Sequence, residues 1–140
     1  MIKKILLLVL SVLVLIALLT YLALEWDEVA LIYTSNGQSN EFRVTHIWYV
    51  EEENALLLEA GDPNNPWIQD LQHSSVVKIV SSKSNDEVWY QLTEKPGTHE
   101  LIRQKMAEKY GWRDWWIQIV FNPSNSYLIE ATQVVNPNQH

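Results

Sequence analysis

The chain has 140 residues, a formal charge of −7 and no cysteine, which excludes disulfide staples, thiol chemistry and thiolate metal sites. All seventeen acidic residues lie beyond residue 24, against eight Lys and Arg there, so that part alone carries −9. A charge of that sign excludes nucleic acid as a natural partner and disfavours lying flat on an anionic lipid surface.

Ile5 to Leu24 is a run of twenty uncharged residues preceded by Lys3-Lys4. As a helix it reaches about 30 Å, the thickness of a bilayer's hydrocarbon core. Its polar side chains are Ser11, Thr20 and Tyr21, the last two near the end, where an interfacial aromatic belongs. The lysines precede the run and Glu25, Asp27 and Glu28 follow it. The positive-inside bias therefore predicts a single-pass anchor, with residues 1–4 cytoplasmic and residues 25–140 on the far side, periplasmic in a Gram-negative cell. A cleaved signal is the rival. A cut after Ala23 or Ala17 would place Tyr21 or Leu15 where a small residue is needed, and the apolar run exceeds a usual signal core. The bilayer is thus the first expected partner.

Val29 to Thr34 reads as a first strand, and Ser35-Asn36-Gly37-Gln38 as a tight turn. Phe42 to Val50 alternates, with Phe42, Val44, His46, Trp48 and Val50 on one face. The acidic turn Glu51-Glu52-Glu53-Asn54 is a solvated connection into a strand over Ala55 to Ala60. Asn65 and Pro66 suit the cap and first position of a short helix from Trp67 to about Gln72. Val76 to Ser81 and Val88 to Thr93 form a second hairpin. Thr98 would cap a longer helix in which Ile102, Met106 and Tyr110 recur every four residues, ended by Gly111. Trp115 to Phe121 and Ser126 to Thr132 read as a last hairpin. The expected fold is mainly β: about seven strands closed as a small antiparallel split barrel, with one short and one longer helix. Seven Trp and six Tyr supply much of its core.

Several of these pieces carry a likeness. Thr34, Gly37 and Arg43 frame the first hairpin, and Ile47-Trp48-Tyr49-Val50 follow. A strand then runs into Gly61, Trp67 stands four residues before Leu71, and Val76-Val77-Lys78-Ile79 comes next. Lys109-Tyr110-Gly111 ends the late helix. In this order they resemble the split-barrel flavin-binding superfamily, most of all its deazaflavin-dependent nitroreductase branch and more distantly the pyridoxamine-phosphate oxidases. The resemblance covers roughly Val29 to Thr132. It implies a flavin mononucleotide or deazaflavin cofactor, with Arg43 on its phosphate, Gly61 allowing close backbone approach and Trp67 near the ring or under the loop. It also implies a homodimer. Two departures stand out. The family's first hairpin reads Gly-Arg-Lys-Ser-Gly where this chain has Gly37-Gln38-Ser39-Asn40-Glu41, and the family's Asn before the helix leucine is Asp70 here. Both remove affinity for an anionic cofactor.

Other residues have structural readings beside the chemical ones. Arg43 can pair with Glu41 on its own strand. His46 suits a hydrogen-bonded rim position, His73 the end of the short helix, and His99 an exposed first turn. No two histidines have ligand spacing, so no metal site is expected. Trp112, Trp115 and Trp116 can stack on a planar ligand, anchor in headgroups, or pack as large rings at a strand entry. No nucleophile elbow, Walker loop or dinucleotide fingerprint is present. Catalytic residues are not legible. Two functions follow as expectations: a membrane-anchored flavin- or deazaflavin-dependent oxidoreductase of the nitroreductase or quinone-reductase kind, or a non-catalytic tethered barrel that binds a partner or apolar ligand.

Overall fold

The computed structural model describes residues 2–25, 28–37, 41–83 and 86–136. Its first element, α1 (Ile2–Glu25), is apolar on all sides and is long and apolar enough to cross a membrane. Most of its side chains are exposed, with Ala23 at its end buried.

Six antiparallel strands follow: β1 (Val29–Thr34), β2 (Arg43–Glu52), β3 (Ala55–Ala60), β4 (Val76–Ser81), β5 (Glu87–Lys95) and β6 (Tyr127–Val134). They close into a barrel in the order β1-β2-β3-β6-β5-β4, with β1 paired to β4 as well as β2. The period-2 alternation of the strands turns one face into the barrel, and β2, β3 and β6 also send residues outward to a second core. Ala30, Ile32, Ile47, Tyr49, Leu58, Ala60, Ile79, Ile129 and Ala131 point inside. Leu57 and Leu128, one residue out of phase, point outward against a helix.

That helix is α3 (His99–Tyr110). Its Ile102, Met106 and Tyr110 stripe covers Leu57 and Leu128, with Trp48 and Val50 alongside. The short α2 (Pro66–Asp70) turns Trp67 and Ile68 into the barrel cluster, and Leu71 follows them. Neither expected side-chain cap forms. Thr98 Oγ1 instead donates to the Lys95 carbonyl at 2.5 Å and accepts the Leu128 amide at 3.0 Å, which ties the start of α3 to β6. His99 is half-buried rather than exposed, with Nδ1 3.0 Å from Ser126 Oγ. His73 lies against the Gly37 turn, where a Cβ would come within 3.1 Å of its ring.

One element departs from expectation. Trp115 to Phe121 is not a strand but most of α4 (Trp112–Phe121), so the barrel has six strands rather than about seven. A short apolar run satisfies strand and helix patterns equally. What decides between them is the placement of Arg113, Asp114 and Gln118, which a helix gathers on the side facing the domain. Gly111, at φ +54°, makes the break between α3 and α4.

Candidate functional site

The start of β2, the start of α2, the end of α1 and the side of α4 enclose a groove of about 400 Å³. Arg43 and Trp67, 24 positions apart in sequence, both line it, with Thr45, His46, Trp48, Glu59, Leu24 and Ile117. A second hollow of about 640 Å³ shares Leu24, Glu59, Asn65 and Ile117 with the first and is lined by Gly61. The three residues expected at a cofactor site thus surround two adjoining hollows. Trp67 itself is buried in the barrel cluster. Gly61 has open space where a Cβ would stand.

Arg43 is held in place. Its Nε donates to Asp70 Oδ2 at 2.9 Å, and Thr34 Oγ1 donates to the same oxygen at 2.7 Å. Asp70 is 4% exposed, whereas the Arg43 side chain is 43% exposed. The buried helix carboxylate of Asp70 thus holds Arg43 in an ion pair. The guanidinium reaches the groove oriented and with its charge largely balanced.

The inner wall carries a charge cluster that sequence reading did not find. Arg103 Nη1 donates to both carboxylate oxygens of Glu59, at 2.8 and 2.7 Å, and Nη2 donates to Asp114 Oδ1. Gln118 Nε2 donates to Asp114 Oδ2 at 2.7 Å. Burial works against the Arg103 charge, but Glu59 and Asp114 outweigh it and hold its pKa above the ordinary value. The available signal was a charged residue beside the apolar stripe of α3, where a helix normally buries aliphatic side chains.

At the mouth, His46 Nδ1 lies 2.6 Å from Glu25 Oε2, a rim position as expected. Trp48 Nε1 donates to the Leu24 carbonyl at 3.3 Å. Among the described residues no three His, Asp or Glu side chains are grouped to hold a metal.

Tested against a phosphorylated flavin, the site fits in part. Apolar walls from Leu24, Trp48 and Ile117 suit a planar ring. The charge does not suit a doubly negative phosphate monoester: one balanced guanidinium faces the groove, and Glu59 shares its lining. One oriented Arg matches a singly charged phosphodiester or carboxylate better.

No family model matches the chain, and no curated protein matches it in sequence. Solved structures do match in shape. An F420 reductase superposes with a TM-score of 0.59 at 10% identity, over 82% of this chain and 93% of that one. HutZ, the heme storage protein from Vibrio cholerae, gives 0.58 at 10% identity, over 81% and 87%. An FAD-binding protein from Mesorhizobium loti gives 0.55 at 14% identity, over 85% and 90%. Barrel order and these superpositions agree: the residues beyond the apolar helix have a split-barrel fold, the shape of the solved structures they match.

Proposed function

We propose that this chain is a membrane-anchored oxidoreductase of the nitroreductase or quinone-reductase kind, and that its groove takes the ring of a deazaflavin or flavin. The observation that carries the reading is the convergence of Arg43 and Trp67 on one cavity beside α2, where the resemblance places phosphate and ring contacts. When bound, such a ring supplies the hydride or electron transfer. The chain's own residues bind and orient it. Arg43, steered by Asp70, meets one negative charge, and Leu24, Trp48 and Ile117 keep water from one side. At the phosphate itself, that arithmetic favours the singly charged phosphodiester of a deazaflavin over the doubly charged monoester of flavin mononucleotide, provided the deazaflavin's carboxylate tail stays in solvent. The lysines in the first turn of α1 and the acids at and after its end support an orientation with the amino terminus in the cytoplasm and the barrel beyond the membrane. A second copy completing the site is proposed on the same resemblance, and sedimentation of the detergent-solubilised chain tests it.

One observation favours a second reading. Asp70 balances Arg43 and Glu59 lies across the groove, an arrangement suited to a neutral apolar ligand on a non-catalytic barrel. Titrating full-length protein in detergent with deazaflavin F420 and with flavin mononucleotide separates the two. Saturable fluorescence quenching by either, stronger for the deazaflavin, supports the oxidoreductase. Binding of neither, with retained binding of an apolar dye, overturns it in favour of the second.

A further inference from the structure

Helix α4 is amphipathic in the wrong sense for a surface helix. At 3.6 residues per turn, Trp112, Trp115, Trp116 and Ile119 fall on one side, with Val120 at its border beside Arg113, and Arg113, Asp114, Ile117, Gln118 and the terminal Phe121 fall on the other. A helix on a water-soluble protein turns its charges outward. Here the polar side meets the domain at its centre: Asp114 is 0% exposed and holds Arg103, half-buried Arg113 donates to α1, and Gln118, at the exposed edge, donates to Asp114. The apolar side faces out, with Trp112 57%, Trp115 62% and Ile119 59% exposed.

The position of α4 says what covers that side. Trp116 Nε1 donates to Thr20 Oγ1 at 3.0 Å, and Arg113 Nε donates to the Ala23 carbonyl at 2.8 Å. Both acceptors lie in the last turns of the apolar helix. α4 therefore stands level with the end of the span, at the depth where indole rings partition into the membrane interface. We infer that α4 is a second membrane contact: its Trp112, Trp115, Ile119 and Val120 side sits in the interfacial and upper acyl region of the bilayer, next to α1. This rests on α1 spanning the membrane. The contact is apolar rather than electrostatic, as a barrel of charge −9 requires, so it forms on zwitterionic lipid. It also sets both hollows at the membrane surface, because Leu24 and Ile117 line each of them. A substrate dissolved in the bilayer would have the shortest path to them.

The chain has no cysteine, so single thiols can be introduced by Ile119→Cys, Trp115→Cys, Val12→Cys and Thr93→Cys. Thr93 is exposed on β5, which lies opposite β2 in the closed barrel. Each full-length variant is labelled with a fluorophore in phosphatidylcholine vesicles and quenched with acrylamide and with brominated lipids. The expected result is several-fold weaker acrylamide quenching at 119 and 115 than at 93. Lipids brominated high on the acyl chain should quench 119 most strongly, and those brominated deep should quench 12. Acrylamide quenching at 119 and 115 equal to that at 93, with 12 protected, overturns the inference and leaves the span standing. An unprotected label at 12 overturns the span and the inference with it. Protection at 119 without quenching by any lipid, varying with the protein-to-lipid ratio, assigns the surface to a second copy and likewise overturns the inference.

Discussion

Arg113 donates from Nε to the carbonyl oxygen of Ala23 at 2.8 Å, joining the barrel's last helix to the end of the apolar one. The final carbonyls of any helix lack partners within it and carry the negative end of its dipole. Here a cation answers one and the Trp48 indole answers the next, at Leu24. The Arg113 guanidinium also lies 5.3 Å from the Trp48 ring and 5.1 Å from that of Tyr110, and those two rings stack at 4.2 Å. The direction in which α1 leaves the barrel is therefore set by packed side chains.

Arg113→Ala should loosen that joint. The expected loss is about 1–3 kcal/mol, the usual result of removing a charged hydrogen-bond donor from a part-buried carbonyl. Spin labels on α1 and β2 should show a broadened distance distribution, and Arg113→Lys should fall between the two. An unchanged distribution in the Ala variant would mean that α1 is held by other contacts.

Asp70→Asn tests the balanced charge at the groove. The amide oxygen can still accept from Thr34 and from Arg43 Nε, so the geometry is kept while one negative charge goes. Affinity for flavin mononucleotide should rise about tenfold, equivalent to about 1.4 kcal/mol. Isothermal titration of the two proteins checks it. Equal affinities would remove Arg43 from the anion contact.

Arg103→Met should be the most destabilising of these changes. It leaves the Glu59 and Asp114 carboxylates in a largely buried site without their shared cation. Breaking a buried pair from one side costs about 3–5 kcal/mol. Asp114→Asn, which keeps a hydrogen-bonding group beside Gln118, should cost less. Urea denaturation of the detergent-solubilised chain ranks the two, and the reverse order would contradict the assignment of Arg103 as the centre of the cluster.

Tyr110 predicts an alkaline limit. Burial pushes its phenol well above the ordinary range, while its hydroxyl accepts the Tyr49 amide at 3.0 Å and donates to the Glu28 carbonyl at 2.9 Å. A folded pKa above the unfolded one means that stability is full below the unfolded value, about 10. It is then lost as pH rises toward the folded value, at up to about 1.4 kcal/mol per pH unit. Lys109, lowered by burial, acts oppositely: between its folded and unfolded values stability rises with pH. The net decline should therefore emerge once both lysine forms are neutral, above about pH 10.5. Tyr110→Phe should make it shallower, with Tyr90 and Tyr127, both raised by burial, keeping a decline of the same sign, and should cost about 1–3 kcal/mol at neutral pH by leaving the buried Tyr49 amide without its acceptor. A thermal-melt series from pH 7 to 11.5 would show both effects.

Local pattern was enough for much of this molecule. Val29–Thr34, Ala55–Ala60 and Val76–Ser81 are strands with the bounds expected of short apolar runs between turns, the uncharged run lies within one helix, and the Ile102, Met106, Tyr110 stripe stands where its period places it. A strand in a closed barrel needs one inward face, and period two encodes that in six residues. α4 was different. Trp115 to Phe121 is apolar whichever way it is wound, so its conformation depends on where Asp114 finds Arg103 and where Trp116 finds Thr20. Those partners are 11 and 96 positions away, beyond any local window. The same holds at the groove: Arg43 is visible as a cation in the sequence, but Asp70, which holds it, is 27 positions on. Backbone periodicity is a property of neighbouring residues. Charge pairing and burial belong to side chains that only the closed barrel brings together.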